Sequence, residues 1–357
     1  MKATKVALVG YGMAGRRIHA PLIMQAGGEV VAVVTKDPGR VELATTDWPG
    51  ATVVATVADL LASRDELGYD AIVLATPSGL HAEQAVQILE HEVPLVVDKP
   101  LAVDASSALA VVDAARNKAP LTVFNNRRFD RDFATLKSVV DAGQLGQVLR
   151  SEMRWERWSP QRVDRWREHL PASQGGGLML DLHTHTVDSA VQLWGPIDSV
   201  YAEIEARSSE AEDDAFMSCR HASGVISHLS VSNWAAAPGP RWRVLGSTGS
   251  YVVASVEGEP VVISELADQD EQHCGWFFAD GERSSVVAAK HGQQGFYEEF
   301  FAALELPASD VGARQEAMPV DPRDAVHVLA VLDAARRAAQ RGSVETVLTP
   351  GVAPSAM

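Results

Sequence analysis

The chain has 357 residues, 46% of them apolar and 22% charged, which excludes a disordered or fibrous class and exceeds what one hydrophobic core readily organises. Its formal net charge of −16 argues against a general affinity for nucleic acid, which needs clustered Lys and Arg, and against a peripheral membrane role. The two cysteines, Cys219 and Cys274, fit neither a disulfide framework nor a zinc site, and no apolar run reaches the roughly 18 residues of a membrane span.

In chain order, residues 5–9 form an apolar run followed at once by Gly15, Arg16 and Arg17, with no cleavage site. The run reads as a first strand rather than a leader and places the protein in the cytoplasm. Further strands are predicted at 30–34, 52–55, 71–75, 95–97 and 121–124. Between them lie helical patterns at 15–26, 57–63, 80–91 and 105–117, the last with Asp104 as N-cap. Continuous apolar strands alternating with helices on short linkers indicate a doubly wound parallel sheet covered on both faces, an α/β domain over residues 1–122.

Beyond it the pattern changes. A helix at 132–142 and a strand at 148–156 lead into a Trp- and Arg-rich loop, and Gly175-Gly176-Gly177 opens a helix at 178–193. Stretches 199–207, 215–221, 225–232, 241–245 and 251–255 alternate apolar and polar residues in the manner of antiparallel strands. Helical patterns return at 296–306 and 322–339, where Asp321 suits the N-cap and Pro322 the first helical position. Residues 123–357 are thus expected to form an α+β domain with an open, mainly antiparallel sheet, its tail after residue 348 loosely held.

Strand one runs into Gly10-Tyr11-Gly12-Met13-Ala14-Gly15, a G-x-G-x-x-G that opens a helix within a βαβ unit. The first glycine permits the turn, the second lets backbone approach a pyrophosphate, and the third lets helix pack on strand, the arrangement of a Rossmann dinucleotide site. At the end of strand two, where an NAD enzyme usually carries Asp or Glu for the ribose hydroxyl, stand Thr35 and Lys36, with Arg40 one turn on. Those cations suit a 2′-phosphate, so NADP is preferred and NAD is the alternative. Asp37 is either the missing acid displaced by two residues or a cap before Pro38.

Lys99 follows strand five in Val97-Asp98-Lys99-Pro100, on the side where such sheets bind ligands, or is a surface lysine before a turn. Asp181, His185 and Asp188 are spaced i, i+4, i+7 on the helix after the glycine run. His183 and His185 would share a metal only on a strand; on a helix they diverge by about 200°, and no metal is expected. A buried, hydrogen-bonded role fits His183 better than His185.

These residues together resemble the glucose–fructose oxidoreductase / inositol dehydrogenase (Gfo/Idh/MocA) family. The likeness is carried by the glycine loop, Ala75-Thr76-Pro77-Ser78 with His81, Asp98-Lys99-Pro100, the glycine run with Asp181, His185 and Asp188, and Arg241 to Leu245 with Gly246-x-x-Gly249. A narrower likeness, to its NADP-type scyllo-inositol dehydrogenase branch, rests on His19-Ala20-Pro21-Leu22, on Asn125 to Phe133, and on Trp155-Glu156-Arg157-Trp158 with Trp166-Arg167-Glu168. Asp98 stands where the family more often has Glu, and His183 where it more often has Gly.

The resemblance implies hydride transfer between a nicotinamide and a hydroxyl or keto carbon of a polyol, cyclitol or sugar, at a site between the two domains. Lys99 would contact the reacting oxygen, His185 would serve as base or acid, and Asp181 would hold the substrate. Tyr11, Met13, Ala14, Thr76, Pro77 and His81 would join the glycines, Thr35, Lys36, Arg40 and Lys99 at the cofactor. Arg127, Arg128, Asp130 and Trp166 would line the substrate pocket, or would form a salt-bridged loop. The family's open sheet implies a homodimer or homotetramer. A same-fold reductase of another carbonyl, and a dinucleotide sensor without chemistry, are the competing readings.

Overall fold

The computed structural model describes residues 3–161, 165–208, 210–255, 259, 261–290 and 292–351, and the chain divides into two compact units. The first opens with β1 (Lys5–Val9), a π turn (Gly15–His19) leading into α1 (Ala20–Gln25), β2 (Glu29–Val34), α2 (Pro38–Asp47), β3 (Thr52–Val54), α3 (Val57–Ala62) and α4 (Arg64–Leu67). It continues through β4 (Ala71–Leu74), α5 (His81–Leu89), β5 (Leu95–Asp98), α6 (Ala105–Ala115) and β6 (Leu121–Phe124). The six strands pair in parallel in the order β3-β2-β1-β4-β5-β6. Every residue of β4 and β6 is buried, as expected of strands covered on both faces. Asp104 accepts from the Ser107 amide as the predicted cap of α6.

The second unit begins at Arg127. It contains α7 (Arg131–Asp141), β7 (Val148–Glu156), α8 (Trp166–His169), a second π turn (Met179–His183) and α9 (Thr184–Trp194). Strands β8 (Ile197–Glu205), β9 (Asp214–His221), β10 (Ile226–Ser232), β11 (Trp242–Gly246), β12 (Ser250–Val253), β13 (His273–Ala279) and β14 (Glu282–Val287) follow. With β15 (Glu345–Thr346) they make a nine-stranded sheet, β14-β13-β12-β11-β7-β10-β9-β8-β15, antiparallel except where β7 and β10 run side by side. Burial alternates strictly along β9 and β10: one face of β10 lies under α9 and the π turn before it, the other face of the pair carries half-buried Phe216, Ser218, His228 and Ser230.

The chain-order reading placed everything after residue 122 in the second domain. Contacts instead group Gln293–Val326, including α10 (Gln294–Glu305) and α11 (Val311–Glu316), with the first unit, which otherwise ends at Asn126. The division falls within α12 (Pro322–Arg341). The physical reason is an exposed sheet edge. The Gln315 amide pairs with both backbone groups of Leu121 at 2.9 Å, and Thr122 exchanges hydrogen bonds with Val320, so a returning segment blunts β6 as a neighbouring strand would. Phe296 meets Phe124 edge-to-face at 4.9 Å. Local periodicity carries no trace of such a return.

Candidate active site

The glycine loop behaves as its spacing requires. Gly10 adopts φ +96°, and a Cβ there would lie 2.5 Å from the Ala75 carbonyl oxygen; a Cβ on Gly15 would lie 2.1 Å from that of Gly10. A Cβ on Gly12 would meet no protein atom within 4 Å, so the space above it is open to a ligand phosphate. Loop and π turn thus form a cradle that fits a dinucleotide. Met13 is exposed, whereas the Tyr11 ring is buried beneath the loop. Thr76 donates from its hydroxyl to Gln84 at 2.7 Å.

At the end of β2, Thr35 donates its amide to Val54 at 3.0 Å. Asp37 accepts from the Arg40 amide at 2.9 Å and caps α2, with Pro38 at the first helical position. Of the two roles open to Asp37 in the sequence, the cap is the one occupied. The exposed Lys36 and Arg40 side chains make no hydrogen bond or ion pair to a described residue, which leaves two cations facing solvent beside the cradle strand.

Lys99 follows the last residue of β5 and is half-buried; the Lys99–Pro100 peptide is cis. Its amide donates to Asp98 Oδ1 at 2.9 Å, and the same oxygen lies 3.7 Å from Nε2 of His19, a side chain with no solvent exposure. Nδ1 of His19 is 2.6 Å from the Tyr297 hydroxyl. Burial alone would raise the Asp98 pKa, but the His19 and Lys99 side chains outweigh it and hold the carboxyl below its ordinary range. Tyr297 goes the other way: burial, reinforced by the Asp98 charge, pushes its phenol well up. His81 spans two loops, with ring nitrogens 2.7 Å from the Pro100 carbonyl and 2.8 Å from that of Thr76. It therefore shapes the Lys99 loop from below.

In the second unit, Asp181 lies in the π turn and His185 and Asp188 in α9. His185 is buried, its ring 5.6 Å from that of Trp155 on β7. Two guanidiniums, Arg127 and Arg241, stack over the same indole at 4.8 and 4.7 Å. Arg127 is bonded to Asp130 at 2.7 Å, and Arg128 grips Asp188 with two bonds of 2.5 and 2.8 Å, the salt-bridged arrangement. Arg167, stacked on Trp166, reaches Asp181 at 3.5 Å. A small cleft joins Asp181 to Arg157, Arg165, Arg167 and Glu168, a mixed lining of donors and acceptors suited to hydroxyl groups.

His183 turns away from His185. Its Nε2 faces the Ala215 carbonyl at 3.3 Å and so carries the proton, and Nδ1 accepts from the Thr186 hydroxyl at 2.8 Å. Complete burial pushes its pKa down to about 3. Nothing local in the sequence marks Asp47, Trp48, Tyr297 or Gln315, or joins Trp155 to His185. The aromatic within the glycine loop was the one local signal; the others are contacts across tens to hundreds of residues.

A parallel βαβ sheet whose first turn holds a fitted G-x-G-x-x-G cradle defines a dinucleotide-binding protein of the Rossmann class. Residues 4–125 match the oxidoreductase family with an NAD-binding Rossmann fold, and residues 133–252 match the GFO/IDH/MocA C-terminal domain. The chain belongs to the Gfo/Idh/MocA oxidoreductase family. It is 31% identical over 344 residues to the oxidoreductase YdgJ of Escherichia coli K12, itself uncharacterized, covering 92% of this chain and 94% of that one. It is 27% identical over 257 residues to the scyllo-inositol 2-dehydrogenase (NADP(+)) IolW of Bacillus subtilis, covering 71% and 70%. A crystal structure from Klebsiella pneumoniae, described as an oxidoreductase, superposes with a TM-score of 0.81 at 28% identity, covering 99% and 97%.

Proposed function

We propose that this protein is an NADP-dependent dehydrogenase of the CH–OH group of a polyol, cyclitol or sugar, acting in the cytoplasm. The observation that carries the reading is one chain holding both groups that alcohol oxidation needs. These are a lysine at the ligand-binding edge of the parallel sheet, braced by Asp98, and a buried imidazole, His185, held on an aromatic platform. The cofactor choice is supported by Lys36 and Arg40, unengaged beside a cap that occupies Asp37, and by the IolW likeness.

When bound, the nicotinamide supplies the hydride acceptor. His185 takes the hydroxyl proton in oxidation and returns it in reduction. The Lys99 ammonium steadies the negative charge on the oxygen. Asp181 accepts hydrogen bonds from neighbouring hydroxyls. Self-association through the open face of the nine-stranded sheet is part of the proposal.

The test is a panel of inositols and aldoses assayed with NAD+ and NADP+ side by side, using wild type, Lys99→Ala and His185→Ala. Activity is expected with NADP+, reduced at least 100-fold in either variant. Turnover with NAD+ alone would reject the cofactor choice, and undiminished variants would reject the roles. NADPH binding without turnover on any polyol favours a sensor.

A further inference from the structure

The Tyr11 phenol makes two matched bonds under the glycine loop. It donates to Asp47 Oδ2 at 2.9 Å and accepts from Trp48 Nε1 at 2.6 Å. Asp47 is the last residue of α2 and Trp48 its C-cap. Arg16, in the π turn after the loop, closes the cluster with bonds of 2.6 and 3.1 Å to the same Asp47 carboxylate. One group from the pyrophosphate loop and one from the π turn after it therefore clamp the far end of α2, and the first turn of that ten-residue helix carries Arg40, three residues after the Asp37 cap and four after Lys36.

A phenylalanine would fill the same buried space, so burial alone does not call for the hydroxyl; the hydroxyl is matched to one acceptor and one donor on α2. Burial, aided by the Asp47 hydrogen bond, pushes the phenol pKa up to about 12, so it stays a donor throughout the physiological range. A helix fixed at one end and capped at the other presents its first turn in one orientation. Recognition of a phosphate by paired cations depends on that orientation.

We infer that Tyr11 is a positioning residue for the ribose-phosphate end of the dinucleotide: with Asp47, Trp48 and Arg16 it latches α2 to the glycine loop and so sets where Lys36 and Arg40 stand. The inference rests on the reading of those two cations given above. Its signature is selective. An untied α2 loses the 2′-phosphate contact, whereas the pyrophosphate keeps the cradle, so NADPH suffers more than NADH.

Equilibrium titration with NADPH and with NADH tests this for wild type, Tyr11→Phe and Trp48→Phe, alongside thermal melts. Trp48→Phe removes the α2-side donor without touching the loop, so the test survives if Tyr11→Phe folds poorly. The expected result is a wild-type preference for NADPH that falls at least threefold in each folded variant. A wild type preferring NADH overturns the cofactor reading and the latch with it. A preference for NADPH that both variants retain, or an equal loss of the two cofactors, overturns the latch alone.

Discussion

At the residue scale, the histidines divide by what surrounds them. His183 is neutral because burial, aided by the Arg336 charge, outweighs the one group that favours its cation, the Ala215 carbonyl that accepts its N–H hydrogen bond. In the unfolded chain it titrates near 6.5, and in the fold near 3. Between those values the unfolded state binds a proton that the folded state refuses, so its contribution is present above about pH 6.5 and is lost as pH falls. The slope is at most about 1.4 kcal/mol per pH unit for one group. His81, His221 and His327 are lowered by burial too and add in the same direction. Denaturant midpoints from pH 7 to 5 should therefore fall in wild type and fall less steeply in His183→Gln. Equal slopes would remove His183 from the account. The sequence placed His183 inside and His185 at the chemistry; it held nothing of their partners, because Ala215 and Trp155 come from separate strands.

Elements were legible where one physical rule decided them. Buried parallel strands are short apolar runs, and β1, β4 and β6 follow from composition alone. Asp104 was readable as a cap because capping is local. Helix α2 leaves no apolar periodicity in the sequence, since its ten residues are mostly exposed and bury little beyond Ala44. Neither π turn is distinguishable from ordinary helix in the sequence, the composition of one extra residue per turn being no different. The glycines of the first loop do separate work, which mutation can tell apart. Gly15→Ala drives a methyl into the Gly10 carbonyl and should cost about 1–3 kcal/mol of stability. Gly12→Ala meets no protein atom, so its melting temperature should stay near wild type while NADPH binding is lost. Thermal melts paired with cofactor titration read both, and wild-type affinity in Gly12→Ala would move the pyrophosphate elsewhere.

For the whole molecule, the two fold classes were legible from the switch between alternating strand–helix and strand–strand patterns. The parallel β7–β10 pair and the place of β15 beside β8 were not, because they depend on register between distant segments, whereas the β13–β14 hairpin closes locally between Ala279 and Glu282. The open face of that sheet sets Phe216 against His228 at 5.7 Å on neighbouring strands, an aromatic patch with polar flanks. If this face joins copies of the chain, sedimentation should return a dimer or tetramer for wild type and a smaller species for Phe216→Glu. A wild-type monomer would end that part of the proposal.

The returning segment carries a consequence for how the protein is made. A ribosome delivers β6 early, yet the residues that cover its edge, Gln315 and Val320, are nearly two hundred positions downstream. Throughout that interval the nascent first unit exposes an unpaired strand and the aromatic seat of Phe296. The second unit's sheet, by contrast, has all but its last short strand in hand by Val287. Vectorial synthesis therefore finishes the cofactor unit after most of its companion, and chaperone demand should peak on a ribosome-bound chain that is long but still has an open edge.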